Sequence, residues 1–220
     1  MAARHQRPPR RPPAHRRDSP GTTVRSCRRH RSGKGRRLRL MPFRVFPWDP
    51  AAKPGEPFSP SYINPQQGAG RFDVAGKLVV YLAESAVHAV AEKLQRFRGQ
   101  RIDKKELLES RKTLALVECE PKNLKLADLC DPAVLLKHDV RPDVLASRDV
   151  TKTQPVAAVL SRAGYAGLRW WSALSGDWHT IVVFEGAIDY GTPEPLTLSH
   201  RAVKDASEAL GIQYSGSIRE

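Results

Sequence analysis

Four polar side chains stand inside stretches that are otherwise built to be buried. Arg44 interrupts the apolar run Phe43-Arg44-Val45-Phe46, and Arg71 follows the turn Gly68-Ala69-Gly70. Tyr81 lies within Leu78-Val79-Val80-Tyr81-Leu82, and Glu92 rides on the stretch after it. A guanidinium fork suits phosphates, a tyrosine ring offers an aromatic face, and a carboxylate stabilises developing positive charge. Each residue also has an ordinary explanation. Arginine after a glycine turn is usually a surface charge, a strand tyrosine is usually core, and a helical glutamate usually faces water. Several familiar chemistries lack their motifs: there is no GxxxxGK[ST], no GxGxxG after a strand, no HExxH and no GxSxG. ATP-driven, zinc-hydrolase and α/β-hydrolase readings lose weight accordingly. His88, His138, His179 and His200 share no ligand spacing, and Cys27, Cys119 and Cys130 form no CxxC, so neither a metal site nor a disulfide framework is expected.

The elements that must position these residues follow from periodicity. Phe43–Phe46 reads as a short strand leading into a long Pro/Gly/Asn loop that ends at Phe72. Leu78–Leu82 is a nearly continuous apolar run of the buried-strand kind. A helix should follow, with the stripe Val87, Val90, Ala91, Leu94 and Phe97, Ser85 as N-cap and Gly99 beyond its end. At 100° per residue Glu92 falls about 140° from Val87, off that stripe. Asp103 with Glu106 reads as the capping pair of a brief helix, followed by a strand over 113–119. Residues 121–150, broken by Pro121, Pro132 and Pro142, read as short turns and helices. Thr153 is placed as the cap of a helix through Pro155 to Ala163, stopped by Gly164. Strands at 168–172 and 180–184 precede a last helix, 201–210, stopped by Gly211. This order is not βαβ alternation, so an α+β fold with a mixed sheet is expected, as a single compact domain over residues 41–220.

The formal charge of +14 is confined to one end. Residues 1–40 hold 14 Lys and Arg against Asp18 alone, and they also carry Pro8, Pro9, Pro12, Pro13 and Pro20. Such a segment cannot bury enough apolar surface to offset the entropy of ordering, so a disordered basic tail is expected, and Met41 reads as an alternative start. The rest of the chain is close to neutral and has no general pull on a polyanion, so nucleic acid is not the expected partner of the domain. The chain shows no apolar run of the ~20 residues a membrane span needs, and a cytoplasmic location without membrane attachment is expected.

The joint order of the fragments is more specific than any one of them. Pro42-Phe43-Arg44-Val45-Phe46, Ile63-Asn64-Pro65 with Gly70-Arg71-Phe72, Val80-Tyr81-Leu82-Ala83-Glu84-Ser85 and Ala91-Glu92 resemble the N-terminal half of the RES domain. Leu124–Leu129, Thr153-Gln154, Gly164–Ser172 and Val182-Val183-Phe184 resemble its C-terminal half. The resemblance implies a fold similar to ADP-ribosyltransferases. It implies a toxin of a toxin–antitoxin pair that degrades NAD, with an Xre-type antitoxin as partner and homo-oligomerisation within that complex.

On this resemblance the name-giving residues are Arg71, Glu92 and Ser172, with Arg44 and Tyr81 as further pocket residues. Arg44 and Arg71 would hold the NAD phosphates, Tyr81 would stack on nicotinamide, and Glu92 would stabilise the ribosyl cation. Ser172 would hydrogen-bond the nicotinamide amide or the ribose. Inorganic phosphate or water would be the acceptor, with no metal. Transfer of ADP-ribose to a protein is the first alternative, and non-enzymatic nucleic-acid binding through the tail the second. The chain departs from the family pattern at Asp73, which would put a negative charge beside the anion site. Since none of the pocket residues lies in the tail, removing residues 1–40 is expected to leave the rate of NAD loss and the melting temperature unchanged; measuring both on the truncated protein checks this.

Overall fold

The computed structural model describes residues 41–214; the expectations for residues 1–40 and for Cys27 lie outside them. The strands are β1 (Phe43–Pro47), β2 (Val80–Ala83), β3 (Arg101–Ile102), β4 (Leu108–Glu109), β5 (Lys112–Pro121), β6 (Leu126–Asp128), β7 (Gly167–Trp171), β8 (His179–Val183), β9 (Ile188–Tyr190), β10 (Glu194–Pro195) and β11 (Gln213–Tyr214). The helices are α1 (Ala86–Leu94), α2 (Pro132–Lys137), α3 (Pro142–Ala146), α4 (Val150–Arg162) and α5 (Arg201–Leu210). The main sheet runs β10-β5-β1-β2-β8-β7-β6, with β4 and β9 also on β5, and it is mixed because β6 pairs β7 in parallel while the other pairs are antiparallel. The expected α+β class is the observed one.

Strand alternation explains how the sheet buries both faces. From β5, Leu114 and Leu116 point to one core and Ala115, Val117 and Cys119 to another. On β8, Val182 goes one way and Ile181 and Val183 the other. One face carries two helix-covered cores. Helices α1 and α5 close the first, through Val90, Leu94, Val203 and Leu210. Helix α4 closes the second, through Ala157 and Leu160 against Leu168 and Trp170. The opposite face packs Phe46, Val80, Leu82 and Ile181 beneath Trp48, Ile63 and Tyr190. Tyr81 therefore rises from β2 on the helix-bearing face, where the two cores adjoin.

Several boundaries differ from the expectations. Strand β2 begins at Val80, and Leu78 is 52% exposed, because the turn that ends at Lys77 sets the register. Helix α4 starts a turn early: Asp149 is its cap, accepting from the Thr151 amide, and Thr153 lies inside it. Pro155 is tolerated there because the carbonyl it leaves unpaired, that of Thr151, sits on an exposed residue. Ser172 lies just beyond β7, and the 121–150 segment contains β6 as well as two short helices. The Ser85 cap and the Asp103–Glu106 capping box form as expected, the latter on a 3₁₀ turn, Lys104–Leu107. Helix α5 occupies the expected residues and ends at Gly211 in the left-handed conformation, φ 65°. No helix among the described residues is long and apolar enough to cross a membrane.

Thr153 is fully buried and its hydroxyl has no hydrogen-bond partner among the described residues. Burying such a group unpaired costs about 1–3 kcal/mol, whereas an apolar replacement of the same shape avoids the cost. Thr153→Val is expected to hold or raise the urea midpoint, and equilibrium unfolding of the two proteins measures it.

Candidate active site

A cavity of about 790 Å³ opens where the two cores adjoin, within the usual size range of small-ligand sites. Arg44, Arg71, Tyr81, Glu92 and Ser172 all line it. They arrive from β1, the loop before β2, β2 itself, α1 and the end of β7, so residues 128 positions apart in sequence meet at one place only because the sheet order sets β1, β2, β8 and β7 side by side.

The loop carrying Arg71 is held from two sides. The Asp73 carboxylate accepts from the Gly68 amide at 2.7 Å, the Gly70 amide at 2.8 Å and the Tyr81 hydroxyl at 2.9 Å. Tyr81 in turn accepts from the Phe72 amide at 2.9 Å. From the other side the Gln154 amide donates to the Gly68 and Gly70 carbonyls, each at 2.9 Å. A side chain at Gly70 would meet Asp73 Oδ1 at 2.3 Å and the Tyr81 hydroxyl at 2.4 Å, so the glycine preceding Arg71 is a steric requirement. This corrects the reading of Asp73 as a stray charge beside an anion site. It is 8% exposed and its oxygens are committed to the loop's own donors. Burial pushes the Tyr81 phenol well above its ordinary value, with the bond to Asp73 adding to it, so Tyr81 is neutral at physiological pH.

The guanidinium of Arg71 lies 4.7 Å from the Trp170 ring centroid and 5.4 Å from that of Phe72. Its Nη2 donates to the Leu145 carbonyl, and its buried Nε has no partner among the described residues. Burial lowers the Arg71 pKa. Arg44 donates Nη1 to the Pro60 carbonyl at 3.0 Å.

Glu92 is bound by three donors. His88 Nε2 and the Ser172 hydroxyl both approach Oε1 at 3.0 Å, and Gln95 Nε2 donates to Oε2 at 2.9 Å. Burial pushes this carboxyl up, but the hydrogen bonds from His88, Ser172 and Gln95 outweigh it, and the net direction is down. Ser172 is fixed in turn, since its hydroxyl accepts from the Leu174 amide at 3.1 Å and its amide donates to the Trp178 carbonyl at 2.7 Å. His88 is 1% exposed and stacks on Trp178 at 5.3 Å between centroids. The result is an ionised carboxylate, its side chain 42% exposed, facing a cavity with arginines on its walls, a combination suited to an anionic ligand that develops positive charge near Glu92. Burial pushes the Cys119 and Cys130 thiols up to about 12 and about 11, so neither is a thiolate nucleophile at neutral pH. Among the described residues, no group of three or more His, Cys, Asp or Glu could hold a metal ion.

Sequence reasoning gave no site role to His88, Gln95 or Arg148, nor to Gln154, which it noted only within the fragment Thr153-Gln154; all four belong to this region. For His88 the signal was available: four residues before Glu92, it falls about 40° away on the helical wheel, on the same face. Gln154 and Arg148 come from sequence-distant α4 and its approach, and no local spacing announces them.

A family model described as RES domain matches residues 42–200. A chain from the crystal structure of the M. tuberculosis MbcT–MbcA toxin–antitoxin complex superposes with a TM-score of 0.52 at 17% identity, covering 76% of this chain and 88% of that one. No curated protein matches the chain.

The hydroxyl and the ring of Tyr81 are separable. Tyr81→Phe keeps the ring but strands the Phe72 amide and one Asp73 oxygen, so a loss of about 1–3 kcal/mol is expected. Denaturant unfolding of the variant checks the loss, and proteolysis at 68–72 checks that the loop is what loosens.

Proposed function

The chain belongs to the RES-domain family, and from that premise we propose that it is the toxin of a toxin–antitoxin pair and acts by cleaving the nicotinamide–ribose bond of NAD. The observation that carries the reading is the convergence of Arg44, Arg71, Tyr81, Glu92 and Ser172 on one cavity. Glycosidic cleavage passes through a cation-like sugar, and a carboxylate held ionised beside it lowers that barrier. Glu92 fills this role, with His88, Ser172 and Gln95 keeping its charge in place. The arginines bind the pyrophosphate, and Tyr81 supplies an aromatic face for nicotinamide. The attacking group is inorganic phosphate or water. The partner is an antitoxin, of the Xre type by the family resemblance, and the similarity to a chain from a toxin–antitoxin complex is in keeping with this.

Mass spectrometry of NAD incubated with purified protein, with and without phosphate, tests the reaction: ADP-ribose-1-phosphate marks phosphorolysis and ADP-ribose hydrolysis, while NAD left intact overturns the proposal. Glu92→Gln keeps the size but removes the charge and replaces one of the two acceptor oxygens with a donor, so turnover is expected to fall by about two orders of magnitude or more, with at most a modest drop in melting temperature from the mismatched donor. The pH dependence follows from the direction of the Glu92 shift. A carboxyl whose folded pKa is depressed stays ionised as pH falls past the ordinary value of about 4.3, and loses its charge only below it. The acid limb of kcat/KM, which reports the free enzyme, is therefore expected below that value in the wild type, and a pH–rate series on the range where the protein stays folded measures it.

A further inference from the structure

Three arginines line the cavity, and they differ in how far the protein has already committed them. Arg44 gives Nη1 to Pro60, and Arg71 gives Nη2 to Leu145 while lying against two aromatic rings. Arg148 is exposed and has neither a hydrogen-bond nor an ion-pair partner among the described residues. The carboxylates nearest to it in sequence are occupied. Asp143 takes the fork of Arg141 at 3.0 and 2.8 Å, and Asp149 accepts from the Thr151 amide at 3.0 Å and hydroxyl at 2.7 Å.

The backbone that carries Arg148 is nonetheless fixed. Leu145 is fully buried, the Ser147 hydroxyl accepts from the Asp149 amide at 3.1 Å, and Asp149 caps α4. The same segment holds Arg71 through the Leu145 carbonyl, so two guanidinium groups are set on one wall by one stretch of chain. Burial is the main reason the Arg71 pKa falls, and the charge of Arg148 adds to it, so the two cations feel each other. Like charges held on one wall repel unless an anion bridges them. A pyrophosphate diester, with a charge on each phosphorus, answers that arrangement, and a guanidinium with all its donors free is the better equipped of the two to grip it.

We propose that Arg148 is the principal contact for the pyrophosphate of the bound dinucleotide, with Arg71 as the fixed second cation behind it. The assignment rests on the NAD reading of the cavity. It is distinct from that reading because it names a residue that neither the family motifs nor the sequence pattern singled out.

Isothermal titration with ADP-ribose as the probe tests it on the full chain. Arg148→Ala is expected to weaken binding by about tenfold or more, the scale of a charge-assisted fork, at an unchanged melting temperature. Arg148→Lys, which keeps the charge without the fork, is expected between the two. Arg162→Ala, an exposed arginine at the far end of α4 and outside the cavity, is expected to bind as the wild type does, which separates a local contact from general charge. Equal affinity of Arg148→Ala and wild type overturns the assignment while leaving the NAD reading intact. Equal weakening by Arg148→Ala and Arg162→Ala overturns it as well. A wild type that binds neither ADP-ribose nor NAD overturns the NAD reading and this assignment together.

Discussion

Asp73 is the residue on which the cavity's geometry turns. A carboxylate taken almost wholly out of water needs hydrogen-bond donors, and this one finds two loop amides and the Tyr81 hydroxyl. Those bonds fold the Gly68–Asp73 segment back on itself and tie it to β2, the central strand of the sheet order. Satisfying Asp73 thereby places Arg71. The loop is anchored by one apolar side chain, Phe72, which is 2% exposed and packs edge-on against Trp170, and polar satisfaction adds to that packing, with Gln154 closing the same two glycine residues from the α4 side. The close approach works only because Gly70 has no side chain.

Glu92 shows the opposite balance. Its burial alone would raise its pKa, and an uncharged acid there could not stabilise a cation. Three donors reverse the sign, and each is held by something else: His88 by its stack on Trp178, Ser172 by the Trp178 carbonyl and the Leu174 amide, Gln95 by the Glu92 carbonyl. The segment 172–178 after β7 thus serves both the hydroxyl and the imidazole that face the carboxylate. For His88 and Ser172 the orientation is supplied from outside the site, by Trp178 and Leu174, which do not line the cavity, whereas Gln95 is held by the Glu92 backbone itself.

Much of this was legible in the sequence, and the exceptions have physical causes. Strand and helix existence followed from periodicity: β1, β2, β5, β7, β8, α1, α4 and α5 all lie where apolar spacing puts them, because each buries one face or both. The two-residue strands β3, β4, β10 and β11 bury too little to leave a pattern, and β6 is stabilised by parallel pairing with a strand some forty residues away. The start of α4 was misjudged because a proline suggested a first turn at Gln154, whereas the Asp149 cap was the stronger signal. Among the site residues, Arg44, Arg71, Tyr81, Glu92 and Ser172 stood out by the order of their motifs, and they share one cavity. Asp73 was misread because a carboxylate two residues from an arginine suggests a negative charge beside the anion site. Two of its three partners are backbone amides, which leave no trace in side-chain spacing, and the third, the Tyr81 hydroxyl, comes from the next strand.

The arginines carry the last step. A cation that must bind a ligand cannot also be fully satisfied by the protein, and a cation that must stay put cannot be wholly free. Arg71 resolves this toward position: rings on its face, a carbonyl on Nη2, and a buried Nε with no partner among the described residues. The cost of that unpaired Nε is part of what holding the group in place requires. Arg148 resolves it toward availability, on a backbone anchored by Leu145 and Asp149 but with a side chain in solvent. The α3–α4 junction bears on both cations, holding Arg71 through the Leu145 carbonyl and carrying Arg148 three residues further on. On the proposed assignment, the preset charge of Arg71 draws the anion, the free fork of Arg148 closes on it, and the ordering entropy of binding falls on a single exposed side chain instead of on a loop.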